Sequence, residues 1–345
     1  MKLIVVICII LVLVRTKNSF CQENLTRNEF TLMFYNTENF YDSENDSLTR
    51  DDDFTTEGNR RWTPGRMHKK AERLGKVIVA AGKWNPPILV GLCEIENLHV
   101  LELLTGNAPL KKYHYKIVQK DSPDERGIDV ALIYRPDLFR PFDWEAIPVV
   151  DPTNRSFKTR DILRVSGVLN GCDTLHVFVN HWPSRYGGIM ETIRFRRLAA
   201  ETLKEAIRRL NSRFSSAKII CMGDFNDTPD DESVLSVLGA KAVDNPAIKG
   251  ELINLSLAWH SNPVKTIKSQ YTWEVFDQWI VSDNFVEGTG CIKFLNAEIF
   301  NAGFLLEPDV KFGGVKPKRT YVGFKYKEGF SDHLPILLRI QRTDH

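Results

Sequence analysis

Four apolar runs in this 345-residue chain each meet a carboxylate or an amide at one end. LMFYNTENF closes on Asn36 and Glu38, ILVGLCEIEN on Glu94, and IICMGDFND on Asp224 and Asn226; Asp332-His333 opens the run in FSDHLPILL. Each run has the length and composition of a buried strand. An unpaired carboxylate inside such a run costs several kcal/mol, so these groups have to find partners at the strand ends. Four such ends at one edge of a sheet make an oxygen-rich, anionic pocket. A hard divalent cation suits that pocket, and phosphate esters are the substrates such a cation serves.

The pattern between these runs alternates in blocks. A strand over 30–35 is followed by a polar, acid-rich loop over 42–64, long enough to be functional. Met67, Ala71, Leu74, Val77, Ile78 and Ala81 recur at helical spacing, and Asn85-Pro86-Pro87 stops that helix. A strand over 88–93 leads to Asn97, suited to cap a helix carrying Val100, Leu101 and Leu104. Strands are expected over 113–118, 130–134, 146–150, 161–169 and 174–179, then a long helix marked by Ile193, Ala200, Leu203 and Leu210. Strands over 218–222, 270–281 and 335–340 complete the series. Two β-rich halves with covering helices and no linker between them predict an α+β fold in one domain over 22–345.

Residues 1–21 are read as a leader outside that domain. Lys2 precedes an unbroken apolar run over 3–14, too short to span a bilayer comfortably but right for a secretory signal, with Ser19 and Cys21 before the cut. Lipid attachment at Cys21 is the weaker alternative, because Phe20 is bulky where a small residue is wanted. Export to a periplasmic or extracellular space is expected. Loss of Lys2, Arg15 and Lys17 turns 46 basic against 44 acidic residues into 43 against 44. A chain so near neutrality lacks the global basic field of a tight nucleic-acid binder. The basic clusters at 66–70 and 194–197 read as solvated helix faces. Of the remaining cysteines, Cys93 and Cys221 read as buried small hydrophobes, and a bond between Cys172 and Cys291 is open in an oxidising compartment.

The motifs carry distinguishable chemistry. In GDFND, Gly223 permits a sharp exit from the strand, so that Asp224 and Asn226 face the same way. Asp224 can orient and deprotonate a water while Asn226 donates to a phosphoryl oxygen; taken alone, the string also fits an Asx turn. Asp332-His333 suits a metal ligand beside a proton-transferring group. His181 ends a strand in Asn180-His181-Trp182, and Asp277 interrupts an apolar strand, where orienting His333 would satisfy it.

In their order along the chain, Asn36, Glu94, His181, GDFND, Asp277 and SDH resemble the endonuclease/exonuclease/phosphatase superfamily, over about 30–340. The resemblance implies a four-layer α/β/β/α sandwich of two mainly antiparallel sheets with helices on the outer faces. It implies a Mg²⁺ site, with Mn²⁺ as a substitute, served by Asn36, Glu94 and Asp332, Glu94 as a direct ligand. It implies that His181, Asp224, Asn226, Asp277 and His333 form the catalytic set. Arg126, Arg185 and Trp273 are candidate substrate contacts. Asp129 either pairs with His181 or caps a turn, and Glu38 either assists the metal or caps its loop. Gln278 stands where many relatives have Arg or His.

The expected activity is therefore a Mg²⁺-dependent phosphodiesterase, an endonuclease on nucleic acid, working as a monomer without a stable protein partner. Arginines near 60, 126, 185 and 194 with Trp62, Trp182 and Tyr186 nearby are the residues that point to nucleic acid. A lipid or inositol-phosphate phosphoesterase of the same fold is the alternative enzyme. Leu334 tilts against the inositol branch, which usually has a basic residue between the last His and Pro. A catalytically inactive binding module is the alternative outside enzymes.

Overall fold

The computed structural model describes residues 28–83, 85–242, 251–288 and 290–343. The proposed leader and Cys21 lie outside the described residues. The chain runs β1 (Glu29–Phe40), α1 (Pro64–Ala81), β2 (Leu89–Ile95), α2 (Leu98–Gly106), β3 (Lys116–Gln119) and β4 (Asp129–Tyr134). It continues through β5 (Phe139–Ile147), β6 (Ile162–Leu169), β7 (Asp173–His181), α3 (Ile189–Arg213) and β8 (Lys218–Asp224). Next come β9 (Ala240–Lys241), β10 (Leu252–Asn254), β11 (Ile267–Ser269), β12 (Thr272–Glu274), β13 (Asp277–Ser282) and α4 (Asp283–Val286). The last strands are β14 (Ile292–Ile299), β15 (Leu306–Pro308), β16 (Val315–Pro317), β17 (Tyr321–Val322), β18 (Lys325–Tyr326) and β19 (Ile336–Arg342).

Two sheets carry the fold, one ordered β14-β19-β1-β2-β4-β3 and the other β5-β6-β7-β8-β13-β10-β9. Most neighbours are antiparallel, as the family resemblance implies. The exceptions that matter are one parallel pair at the centre of each sheet, β1 with β2 and β7 with β8. A parallel pair needs a long crossover, and the two long helices supply it: α1 between β1 and β2, α3 between β7 and β8.

Period-2 alternation divides the side chains between layers. Phe30, Leu32 and Phe34 of β1 face the layer between the sheets, together with Leu132, Val177, Ile220, Met222, Val281, Ile336 and Leu338. Met33 and Tyr35 face outward and are covered by Met67, Leu74 and Ile78 of α1 and by Leu101 and Leu104 of α2. On the far side Phe178, Ile219 and Cys221 are covered by Ala199, Leu203 and Ile207 of α3. The layers are thus helices, sheet, sheet, helix. Thr63 and Asn97 cap α1 and α2 by accepting from Arg66 N and Val100 N, and Pro64 occupies the first turn of α1.

The pattern differs from expectation in several segments: β14 falls where no strand was expected, β3 begins at Lys116 because Tyr113 closes a 3-10 turn, and two further segments are misplaced. The strand expected over 146–150 is displaced to β5, an edge strand in which exposed charged residues and Pro141 obscure the alternation. The segment 270–281 is not one strand. Gln270 adopts φ 53° in the turn of the β11–β12 hairpin, and β13 begins only at Asp277. Two basic clusters also depart from the solvated reading. Lys70 and Arg196 are buried, Lys70 donating to Phe330 O at 2.6 Å and Arg196 Nε to Asp227 Oδ1 at 2.6 Å. Cys172 and Cys291 form a disulfide, and Cys93 and Cys221 are buried free thiols.

Candidate active site

Asn36, Glu94, His181 and Asp224 occupy the carboxyl ends of the two central parallel pairs, two residues from each sheet. In β1 and β2 the last residues do not stay in register. The pairing slips between Asn36 and Phe40 on one strand and between Cys93 and Ile95 on the other. At this slip β1 sets residues 37–39 against Glu94 alone, and on its other side Glu94 is the residue of β2 with no partner on β4; it is held at φ 58°, with Glu38 and Asn39 at φ 54°. Such backbone costs about 1–3 kcal/mol per residue and needs support. Thr37 supplies it by donating its hydroxyl to Cys93 O at 2.8 Å and Glu94 O at 3.0 Å, and Asn39 N donates to Glu94 Oε2 at 2.8 Å. The bulge turns the Glu94 carboxylate toward the cleft, where Oε1 lies 3.9 Å from His181 Nε2.

The second sheet brings three groups level. His181 and Asp277 both stand opposite Asp224 in the strand register. A Cβ on Gly223 would lie 2.4 Å from Asn180 O, so glycine is what lets β7 and β8 close up beneath Asp224. The buried Asp224 carboxylate accepts from Asn36 Nδ2 at 3.0 Å and from Asn226 N at 2.9 Å. Its Oδ2 lies 3.8 Å from His181 Nε2 and 3.7 Å from His333 Nε2. His333 Nδ1 donates to Asp277 Oδ2 at 2.7 Å, deep in the fold. Asn226 sits at φ 51°, with its amide donating to Trp182 O at 3.0 Å and its own carbonyl accepting from Arg185 Nε at 2.8 Å. Ser331 ties the last segment to β1 by donating to Asn36 O at 2.7 Å.

These placements set opposite tendencies on the two imidazoles. Burial holds His181 well below its ordinary pKa, reinforced by the charges of Arg160 and Arg126. Burial also opposes a charge on His333, but Asp277 and Asp224 outweigh it and raise its pKa well above the usual range. Burial, with Asp277 and Glu94 adding to it and His333 opposing, pushes Asp224 up to about 7. The surroundings thus disfavour a proton on His181 and favour one on His333, with the Asp224 carboxylate between them.

The oxygens that remain are of the kind a divalent cation takes. Glu94 Oε1 makes no hydrogen bond among the described residues, Asp332 offers its second oxygen beside the Oδ2 taken by Arg319, and Asn36 Oδ1 accepts only from Glu38 N. This is a hard-oxygen donor set, and the neighbouring Cys93 thiol faces the layer between the sheets instead.

The sequence matches the Endonuclease/Exonuclease/phosphatase family over residues 31–342. The chain belongs to this family. Its members are metal-dependent phosphoesterases. Solved structures agree on the fold. A family protein from Bacteroides thetaiotaomicron has 14% identity and a TM-score of 0.57, covering 92% of this chain and 99% of that one. A mannosyl-6-phosphatase from the same organism has 14% identity and a TM-score of 0.56, covering 90% and 99%. TDP2 of D. rerio, solved with a single-strand DNA product, has 12% identity and a TM-score of 0.54, covering 91% and 99%. No curated protein matches the sequence.

Within this family member, several residues singled out from sequence stand elsewhere than the cleft. Asp129 does not reach His181, whose Nδ1 has no partner among the described residues. Asp129 instead accepts from Ser122 N at 2.8 Å and Gln119 Nε2 at 3.1 Å, which is the turn-capping alternative. Glu38 likewise holds its loop, accepting from Thr320 N at 2.6 Å and Arg319 Nε at 3.2 Å. Arg185 is committed to Asp227, Asp231 and Asn226 O. Trp273 lies half-buried in the β11–β12 hairpin against the core outside the six-stranded sheet. Trp62 and Trp182 are core residues, whereas Arg126 is partly exposed and Tyr186 is 94% exposed. Gln278 is buried and donates to Asp227 O at 2.6 Å.

Three basic residues near the cleft are not marked as site residues by the sequence, and Lys70 among them reads there as part of a solvated face. Arg160 is buried, donating to Asp124 at 2.9 Å and to Trp182 O at 2.7 Å. Arg319 bridges Glu38 and Asp332, and Lys70 pins 320 and 330 beside the end of β1. Arg319 at least had a signal, the basic run over 316–319; nothing local marks Arg160.

Proposed function

We propose that this chain is a Mg²⁺-dependent phosphodiesterase that hydrolyses the backbone of nucleic acid. The observation that carries the reading is the buried Asp224 carboxylate set between His181 and His333 at 3.8 and 3.7 Å, with His333 oriented by Asp277 at 2.7 Å. Breaking a diester needs both a base for water and an acid for a leaving oxygen that is not itself acidic. Asp224, raised toward neutrality by burial, takes the proton of the attacking water. His333, kept protonated by Asp277, donates to the oxygen on which charge develops. The second amide hydrogen of Asn226 is available for a phosphoryl oxygen, since only one is used on Trp182 O. Glu94, Asn36 and Asp332 would hold a Mg²⁺, which would supply charge neutralisation on the scissile phosphate.

Nucleic acid is favoured by the rim. Arg126, partly exposed and close enough to Glu94 to feel its charge, offers a phosphate contact, and the exposed Tyr186, five residues after His181 in the chain, is an aromatic surface on which a base can stack. A fold relative solved with single-strand DNA product is consistent with that use. The deciding experiment incubates the protein and Mg²⁺ with plasmid DNA, RNA, a single-stranded oligonucleotide, sphingomyelin, inositol phosphates and mannose 6-phosphate. Cleavage of a nucleic-acid strand is expected. Turnover confined to a monoester or to a lipid overturns the reading.

A further inference from the structure

Three short hairpins stand outside the two main sheets: β11/β12, β15/β16 and β17/β18. With the ends of β1 and the 54–60 loop they enclose a cavity of about 370 Å³, a volume in the range of small-ligand sites. The cavity opens directly off the reaction centre, because Asn39 and Asp332 line it. Asn39 N also holds Glu94, and Asp332 precedes His333.

The charges of this cavity do not cancel. Five basic groups face three acids, a surplus of two: Arg319 spans Glu38 and Asp332, and the buried Lys268 sits on Asp309 at 2.9 Å. Three further basic groups remain. Lys311 forms no ion pair among the described residues and leans over the Phe312 ring at 4.8 Å. Lys316 is only loosely matched, 3.7 Å from Glu307, which is not in the lining. Arg60 packs its guanidinium over Phe54 at 4.8 Å and Tyr321 at 5.2 Å, and its Nε is buried without a hydrogen-bond partner. A concave surface with surplus ammonium and guanidinium groups on an aromatic floor selects a polyvalent oxyanion.

We propose that this cavity binds a second phosphate of the substrate, beyond the scissile one. The inference rests on the phosphodiesterase reading and deepens it: the substrate carries at least two phosphates, and the hairpins recognise the one that does not react. The second phosphate comes either from the next link of a nucleic-acid strand or from a small bisphosphate ester, and the two sources are separable.

The test compares the wild type with Lys311→Glu, Lys316→Glu and the double variant, none of which touches the catalytic groups. Three diesters are used: bis(4-nitrophenyl) phosphate, a dinucleotide phosphorylated only at its link, and the same dinucleotide with terminal phosphates. The wild type is expected to prefer the phosphorylated dinucleotide by about ten-fold in kcat/KM, through KM. The double variant loses that preference and keeps wild-type rates on the other two diesters. A preference that survives charge reversal, or an equal fall on all three diesters, overturns the proposal. If the wild type cleaves no dinucleotide, the nucleic-acid reading falls while the cavity is still tested. A lysine-dependent KM preference for a sugar bisphosphate over its monophosphate then supports it, and no such preference overturns it. A metal-free calorimetric titration with inorganic phosphate gives a readout apart from turnover. About ten-fold weaker binding in the double variant supports the site, and equal binding overturns it.

Discussion

Replacing Asp227 by alanine removes the anchor under the catalytic loop and has a cost that can be worked out beforehand. Asp227 is buried and accepts three side-chain hydrogen bonds: from Arg196 Nε at 2.6 Å, Arg185 Nη2 at 2.9 Å and Ser233 Oγ at 2.6 Å. The two arginines do not suffer equally. Arg185 is 23% exposed and keeps Asp231 and Asn226 O, so solvent and its other partners compensate it. Arg196 has no exposure, and what remains to it is Thr192 Oγ1 at 2.9 Å and two carbonyls at 3.5 Å. Stranding one fully buried guanidinium costs about 3–5 kcal/mol. Urea denaturation of Asp227→Ala, followed by circular dichroism, should show a loss of that size. Removing the stranded charge as well, in Asp227→Ala/Arg196→Met, should recover more than half of it. Because Arg185 also fixes Asn226 O, turnover at low temperature should fall about ten-fold in the single variant even where it is folded. A loss under about 1 kcal/mol, or additive losses in the double variant, would refute the assignment of Arg196 as the dependent group.

Other expectations follow from the same geometry. Activity on any phosphoester should vanish in excess chelator and return with Mg²⁺ or Mn²⁺ but poorly with Ca²⁺, and Glu94→Gln should bind metal more weakly by calorimetry; turnover unaffected by chelator counts against the hard-oxygen site. Asp224→Asn and His333→Ala should each lower kcat by about two orders of magnitude or more with little change in melting temperature, and full activity in the Asp224 variant would sink the mechanism. Asp277→Ala should be a milder version of His333→Ala, and a double variant that is fully additive would show that Asp277 does something other than orient His333. Burial, with the nearby Arg164, lowers buried His176 from 6.5 to about 4 in the fold, so the unfolded chain binds the extra proton between these values. Its contribution to stability is complete above pH 6.5 and is lost as pH falls through 4. His176→Gln should flatten that part of the stability curve, and an unchanged slope refutes the assignment.

What was legible in the sequence is what a strand end reveals locally. Apolar runs broken by a carboxylate or an amide located Asn36, Glu94, Asp224 and Asp332, and Asp277 was found because a buried acid needs a donor, which His333 supplies. Conformation was not legible. Nothing in CEIEN says that Glu94 takes a left-handed backbone, because the slip depends on β1, Thr37 and Asn39 across the sheet. The turn at Gln270 was missed because it carries no Asn-Gly or Gly-Gly pair, and the β-favouring Thr272, Trp273, Val275 and Phe276 continue the strand pattern past it. Arg160 and Lys70 were missed for another reason: charged residues read as solvated until distant carbonyls surround them.

The bond between Cys172 and Cys291 fastens the sandwich at its far end. Cys172 directly precedes β7, whose last residue is His181, and Cys291 directly precedes β14, whose first residue pairs with the last residue of β19. Asp173 adds to the fastening by accepting from Ile292 N at 3.0 Å and from Lys218. The two sheets are therefore riveted about 30 Å from the cleft, the length of a nine-residue strand. Among the described residues no covalent link crosses at the cleft itself, where Glu94 on one sheet faces His181 on the other. The molecule is fastened like a pair of tongs, by a covalent pin at one end and at the other by the hydrogen bonds of Asn36 to Asp224 and His333 to Asp277.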